Sequence, residues 1–315
     1  MCRNRTVPVA FIRFAPDLTD AAFAAEFHRV GAAATRADGY APFNEQSLFD
    51  VAAGHRTPFL VMDSEDAGED AVVGAGILGA GELDLVVEPS RRRLGHGAAA
   101  LAALLADATG DLQIWSHGDH PAARVLADRF GFTAERTLLQ LRMDLSTAAP
   151  AGAAAEPGDP ARAGIRADLR IDAFRPGQDD GEWVALNALV FAAHPEQGAL
   201  TVSDLAARQA EPWFSAVDFL VAREAGIERM IGYNWVKIEP DSPVGEIYVV
   251  GVHPDAAGRG VGRRLMLAGL DRLRERGCRT ADLYVEADSA AAVALYRSIG
   301  FTERTVDVQY RRRPR

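Results

Sequence analysis

The fold turns on one stretch, Val252-His-Pro254-Asp-Ala-Ala257-Gly258-Arg259-Gly260-Val261-Gly262. The apolar strand pattern Glu246–Val252 runs into it, and an amphipathic helix pattern from about Gly262 to Arg276 runs out of it. Glycines there let the backbone reach positive φ and approach a ligand closely. The start of the following helix leaves N–H groups unpaired at the positive end of its dipole, which suits an anion. Taken alone, such a turn can equally be a tight strand-to-helix connection. It is not a Walker loop, because no Lys-Ser/Thr follows the last glycine, and it lacks the spacing of a dinucleotide fingerprint.

The same pattern occurs earlier, as Val87-Glu-Pro89-Ser-Arg-Arg92-Arg93-Leu94-Gly95-His96-Gly97, followed by the helix pattern Ala98–Ala108. Downstream, Gln113-Ile-Trp115 matches Asp282-Leu-Tyr284, and Gly131-Phe132 matches Gly300-Phe301, in the same order. Two matched blocks in one order indicate a tandem duplication. Between the copies, residues 146–164 read STAAPAGAAAEPGDPARAG, without an aromatic or branched aliphatic residue, which is the composition of a linker. The expected domains are therefore 1–145 and 165–315, each near the usual domain size.

Each half has one coarse pattern. In the second, strands are expected at Ile165–Phe174, Asp218–Arg223, Ile231–Lys237, Glu246–Val252, Ala281–Glu286 and Thr302–Arg311. Helices are expected at Glu182–Ala193, Val202–Ala210, from about Gly262 to Arg276, and Ala290–Ser298. Strands in series, then strand–helix–strand–helix–strand, predict an α/β domain with a mixed sheet, twice in tandem.

Composition bounds the partners. The chain has 315 residues, 48% hydrophobic and 25% charged, with a net charge of −10. These are values of an ordinary globular protein, and the acidic balance argues against nucleic acid, which needs clustered Lys and Arg. No apolar run reaches the roughly 20 residues that span a bilayer. Val7–Phe14 is too short and interrupted for a signal-peptide core and reads as a strand. Two distant cysteines, Cys2 and Cys278, exclude a disulfide scaffold and a Cys-rich zinc site. The expectation is a cytoplasmic monomer with no nucleic-acid, membrane or metal partner. The final Arg311-Arg-Arg-Pro-Arg315 reads as a solvated end.

The turn, the preceding Val-x-Pro and the later run Ser289-x-x-Ala292-x-x-Leu295-Tyr296-x-x-x-Gly300-Phe301 together resemble the GCN5-related N-acetyltransferase (GNAT) family. The likeness covers most of each half. It departs at Ala257, where Gln or Arg is usual, and at Ser289, where Asn is usual. It implies two tandem acetyltransferase domains using acetyl-CoA. In the second half the CoA would be held by Val250, Gly251 and Val252, with a bulge at this place in the strand. The turn Ala257, Gly258, Arg259, Gly260, Val261, Gly262 and Arg263 and the residues Ser289, Ala290, Ala291, Ala292, Val293 and Ala294 would hold the rest. In the first half the matching set is Leu85, Val86, Val87, Arg92, Arg93, Leu94, Gly95, His96 and Gly97. Arg259, Arg263 and Arg264 could add charge or simply be solvated.

Acetyl transfer to an amine needs a proton acceptor for the amine and a proton for the leaving thiolate. The resemblance implies Glu246 as base and Tyr296 as acid. By sequence offset, their partners in the first half are Gly81 and Ala127, neither of which can move a proton. Glu82 adjoins Gly81, but successive strand residues point to opposite faces. The second half is thus expected to be catalytic and the first to keep only a CoA-binding turn. Without this constellation, Glu246 would read as a solvated strand-end carboxylate and Tyr296 as a core tyrosine.

The segments Phe191-Ala-Ala-His194-Pro195-Glu196-Gln197-Gly198, Ala210-Glu-Pro212-Trp213-Phe214, Tyr233-Asn-Trp235-Val-Lys237 and Ala41-Pro-Phe43-Asn-Glu45-Gln46 narrow the likeness. They resemble tandem members that acetylate the cysteinyl amine of a pseudodisaccharide, cysteinyl-glucosaminyl-inositol. By that resemblance Glu45, Glu196, Lys237, Glu246 and Tyr284 contact the acceptor, with Glu45 reaching it from the first half. Glu45 and Glu196 read equally well as surface carboxylates and Lys237 as an exposed strand residue. His194 reads as a helix end, Trp213, Phe214 and Trp235 as core, and Cys278 as a buried filler. Transfer within a ternary complex is expected over a cysteine acyl-enzyme. A tandem enzyme acting on a protein or antibiotic amine, and a CoA-binding sensor without activity, remain alternatives.

Overall fold

The computed structural model describes residues 9–64, 71–106, 110–146, 169–192, 195–224, 226 and 228–314. The elements follow the mixed α/β pattern in both halves. In the first they are β1 (Phe11–Phe14), α1 (Ala21–Asp38), α2 (Glu45–Ala52), β2 (Thr57–Met62), β3 (Val72–Gly79) and β4 (Glu82–Val87). Then come α3 (His96–Ala106), β5 (Leu112–Ser116), α4 (Pro121–Phe130) and β6 (Thr133–Asp144). The second half has β7 (Leu169–Ala173), α5 (Asp180–Val190), α6 (Pro195–Gly198), α7 (Val202–Gln209), β8 (Phe219–Glu224) and β9 (Met230–Ile238). It closes with β10 (Val244–Val252), α8 (Val261–Glu275), β11 (Thr280–Glu286), α9 (Ala290–Ile299) and β12 (Thr302–Arg312). Most of the proposed linker, together with Cys2 and His194, lies outside the described residues.

The chain divides into two compact units, Met1–Leu139 with Glu286–Asp288 and Thr305–Arg315, and Gln140–Val285 with Ser289–Arg304. The first unit's sheet runs β1-β2-β3-β4-β5 and then takes the end of β12; the second's runs β7-β8-β9-β10-β11 and then takes the end of β6. Each half therefore sends its last strand to the other unit's sheet. In the first unit β12 pairs antiparallel with β5, Val308 opposite Ser116 and Arg312 opposite Leu112. In the second, Arg142 and Gln140 of β6 donate to Asp282 of β11, at 2.5 and 3.3 Å.

This exchange corrects the reading of the basic tail. Arg311 lies within β12 and pairs with Asp111 and Glu135, and Arg313 pairs with Glu135. Arg311 is thus carried by a paired strand, whereas Arg313 lies past its end and is exposed, as expected of a solvated end.

Helices pack on both faces of each sheet. In the first unit α1 buries Phe23, Phe27, Val30 and Ala34 on one face, and Ala100, Leu101 and Ala127 pack on the other with Val308 and Tyr310. In the second, Trp183 and Leu186 of α5 and Leu205 of α7 cover Tyr233, Trp235 and Val249, and α8 places Val261 and Leu265 on the opposite face. The rings of Phe219 and Trp235 stack 4.4 Å apart inside the first of these layers. Among the described residues no helix is long and apolar enough to cross a membrane.

Candidate active site

In the second unit, β10 and β11 run parallel only from Val244–Thr280 to Ile247–Leu283. β10 then continues to Val252 and β11 to Glu286 without pairing, so the two strands part like a wedge. Glu246, half-buried, is opposite Asp282 on β11 and Lys237 on β9, one residue before the parting. The first unit repeats the design: β4 and β5 pair only at Glu82–Gln113 and Leu83–Ile114.

The bulge in β10 lies between Ile247 and Val249, where Tyr248 is the extra residue; it is not at Val250–Val252, as the sequence reading expected. Gly251 has a different reason. A Cβ there would stand 2.6 Å from the Tyr233 ring and hydroxyl, so only glycine lets Tyr233 lie under the strand. The bulge turns Tyr248 onto Trp213 and Trp235, with centroids 5.2 and 5.4 Å away. Sequence reasoning missed Tyr248, because a bulge leaves no mark in the alternation of side chains.

Lys237 is 11% exposed, against the expectation of an open strand residue. Its ammonium stands over the rings of Trp213 and Tyr248, 4.9 and 5.6 Å from their centroids, and pairs with Glu239 at 3.0 Å. Trp213 and Trp235 are buried as expected, but the Trp213 ring also supports this cation.

The Gly-rich turn takes the shape that its glycines permit. Gly258 and Gly260 have φ of 71° and 79°, and Gly260 begins α8 with no side-chain cap. The first N–H groups of α8 are thus available to an anion. A Cβ on Gly262 would touch Val252 and Leu295 at 3.5 and 3.6 Å, so the turn, the end of β10 and α9 meet there. Arg263 donates to Ser298 on α9, Arg264 to the Leu169 carbonyl and Arg259 to Glu224. Ser289 precedes α9 without capping it, and Ala290–Ala294 form its first turn and beyond.

Tyr296 follows Leu295 on α9. It is buried, its ring meets Phe301 edge-on at 6.3 Å, and burial pushes its hydroxyl up from 10.0 to about 12. It stays protonated at every physiological pH. Tyr284 of β11 is 45% exposed. The backbone of Glu196 lies in α6, and its side chain is outside the described residues.

The first unit keeps the turn with altered chemistry. A Cβ on Gly97 would meet Val87 and Leu126 at 3.4 and 3.5 Å, the same contacts that Gly262 makes. Arg93 replaces Gly258 yet holds φ of 62°, in the left-handed region that ordinary side chains avoid. Arg92 donates through both terminal nitrogens to Asp38 at 2.7 Å and through Nε to the Val87 carbonyl, so its fork is engaged within the protein. Leu94 is exposed, and His96 opens α3 from a buried position. Leu85 and Val86 lie on β4 past its parting from β5. Glu45 opens α2, half-buried, after the cap Asn44.

Register also corrects one match between halves. Glu82 pairs with Gln113 as Glu246 pairs with Asp282, so Glu82, not Gly81, is the counterpart of Glu246. The bulge at Tyr248 adds a residue to β10 that β4 lacks, which shifts the sequence match by one. Glu82 is not open, however. The buried Arg56 holds it at 3.1 Å and Asp84 at 2.9 Å, and also donates to Ser47. At the place of Tyr296 the first unit has Ala127, and there the sequence match stands.

Residues 183–301 match the Acetyltransferase (GNAT) family. The chain is 44% identical over 304 residues to the mycothiol acetyltransferase of Sanguibacter keddieii, covering 93% of this chain and 94% of that protein. It is 45% identical to the mycothiol acetyltransferase of Clavibacter sepedonicus over 87% of each chain. Among solved structures, a tandem GNAT protein from the clavulanic acid biosynthesis pathway matches 97% of this chain at TM-score 0.71 and 17% identity, with 99% of its own length covered. A GCN5-related N-acetyltransferase from Sphaerobacter thermophilus matches the whole chain and 98% of its own at TM-score 0.68 and 22% identity. The last two share the fold.

Proposed function

This chain belongs to the mycothiol acetyltransferase family, within the GNAT acetyltransferases, and from that premise we propose that its second unit acetylates the cysteinyl amine of cysteinyl-glucosaminyl-inositol. The protein is an acyltransferase that uses acetyl-CoA and an amine acceptor. The specific acceptor and the division of labour between units are the proposal.

The turn Ala257–Arg263 fits a phosphate-bearing co-substrate: two left-handed glycines, no cap on α8, and Gly262 without a side chain at the junction with β10 and α9. Val250, Gly251 and Val252 lie where β10 has left β11, so their backbone borders the wedge. Acetyl-CoA brings the thioester carbon that the amine attacks and the thiolate that leaves.

Glu246 accepts a proton from the acceptor amine, directly or through water. An α-amine titrates near 7.7–8.0, so a carboxylate suffices as its base near neutral pH. Tyr296 gives its proton to the departing sulfur; its burial keeps that proton in place until then. Lys237, set between two aromatic rings beside Glu246, offers a donor to hydroxyls of the acceptor, with Tyr284 and Glu196 as further contacts. Cys278 is buried and burial raises its thiol, which supports direct transfer over an acyl-enzyme.

One observation carries the reading. The second unit has a buried tyrosine on α9, Tyr296, where the first has Ala127, which has no proton to give. The first unit is therefore proposed to bind CoA without transferring the acetyl group. The test is release of free CoA from acetyl-CoA with cysteinyl-glucosaminyl-inositol as acceptor. Turnover on this amine, and not on peptides with a free N-terminus, is expected. Turnover on the peptides alone overturns the reading.

A further inference from the structure

Asn187 of α5 is fully buried, yet every polar atom of its side chain is used. Its Nδ2 donates to the Gln197 carbonyl at 2.6 Å, and its Oδ1 accepts from Gln197 Nε2 at 3.3 Å and from the Tyr233 hydroxyl at 2.8 Å. Gln197 lies in α6, beside Glu196. Tyr233 lies on β9 directly opposite Gly251, and its ring fills the space a Gly251 side chain would need. One amide therefore ties the acceptor-side segment Pro195–Gly198 to the part of β10 that borders the CoA wedge.

The segment is closed at its other end too. A Cβ on Gly198 would fall 2.4 Å from the Phe191 carbonyl, so the chain can fold back onto the end of α5 only with glycine there. A buried side-chain amide with three satisfied bonds has one low-energy arrangement, because each alternative strands a polar group away from water. A change in the position of β10 at Gly251 must then be felt by Tyr233, and through Asn187 by Gln197.

We propose that Asn187 is a positioning residue that couples the two substrates: it sets segment 195–198 for the acceptor according to whether CoA occupies the strand above Tyr233. This rests on the reading of Glu196 and its segment as acceptor contacts. Asn187, with no exposed surface, acts only through Gln197 and Tyr233. By linkage, coupling of this kind works in both directions.

Two variants test it in the full-length protein. Asn187→Leu removes all three bonds at similar volume; Tyr233→Phe removes only the hydroxyl arm and leaves the ring beneath Gly251, so it serves if the first variant does not fold. The readouts are the KM of each substrate and hydrogen exchange of a peptide spanning 191–201, with and without CoA. In the wild type, CoA is expected to slow exchange across 195–198. In the variants that slowing is lost, the acceptor KM measured at saturating acetyl-CoA rises about tenfold, and the acetyl-CoA KM measured with the acceptor far below its own KM, where the coupling does not enter, stays within about twofold. A merely structural role would move both KM values together or neither, and either result overturns the proposal. So does exchange that CoA slows equally in variant and wild type, or that CoA leaves unchanged in the wild type. If the wild type does not turn over cysteinyl-glucosaminyl-inositol, the acceptor assignment fails, and the exchange measurement still decides the coupling.

Discussion

Glu246 and Lys237 stand opposite each other across the β9–β10 ladder, one with its carboxylate at the parting of β10 and β11, the other with its ammonium over Trp213 and Tyr248. Cross-strand neighbours have Cβ atoms roughly 5 Å apart, so both charges act on one small region. The cation is fixed by two rings and Glu239, which makes it a donor of set direction. Lys237→Met keeps most of the stem and removes the ammonium. The acceptor KM is expected to rise about tenfold, the worth of one charged hydrogen bond, with the acetyl-CoA KM unchanged; steady-state kinetics with each substrate varied in turn check this.

Tyr296→Phe removes the proton offered to the leaving sulfur and little volume. The expected result is a kcat lowered about a hundredfold, within the usual range for a general acid, with unchanged CoA affinity by calorimetry. Because burial holds the tyrosine near 12, the wild-type kcat profile should show no alkaline decline from this residue below about pH 11.

The same burial makes stability sensitive to alkali. The folded tyrosine titrates near 12 and the unfolded one near 10.0, so the folded state binds the extra proton between those values. Its contribution is intact below pH 10 and lost as pH rises from 10 toward 12, by about 2–3 kcal/mol at the upper end. Urea denaturation at pH 8, 10 and 11 measures the slope, and Tyr296→Phe should flatten it. Tyr233, also raised by burial, adds to the wild-type slope in the same direction.

Gly251→Ala places a methyl 2.6 Å from the Tyr233 ring, whose neighbours Trp183 and Phe219 leave it little room to retreat. Overpacking of this kind costs about 1–3 kcal/mol. The expected outcome is a lower denaturation midpoint and weaker acetyl-CoA binding, which thermal melts and titration report. Gly262→Ala, whose methyl meets Val252 and Leu295 at ordinary contact distance, should fold as the wild type does.

The repeated elements were legible in the sequence because they are local: alternation marks β8 to β12, and α8 and α9 follow the helical period. The Gly-rich turns were legible because left-handed φ at Gly258, Gly260 and Gly95 calls for glycine. What the sequence hid depends on pairing at a distance. The bulge at Tyr248 adds one residue without breaking the apolar pattern, so Gly81 was matched where Glu82 belongs. Arg56 is far enough from Glu82 and Asp84 along the chain that its pairing with them is visible only once β2, β3 and β4 are placed. The exchange of β6 and β12 gives Arg311 its partners Asp111 and Glu135, and no local pattern announces it. Asn187 looks like any polar residue on a helix until Gln197 and Tyr233 are seen around it.

The central claim is that Glu246 takes the proton from the acceptor amine. The most direct measurement is the pH dependence of kcat/KM for Glu246→Gln against wild type, with cysteinyl-glucosaminyl-inositol as acceptor. The account predicts a variant slower by about tenfold at pH 7, where only about a tenth of the amine is deprotonated, that recovers as pH rises toward the pKa of the amine and levels off above it, because deprotonated acceptor no longer needs a base. A variant with the wild-type rate and the wild-type profile would contradict it.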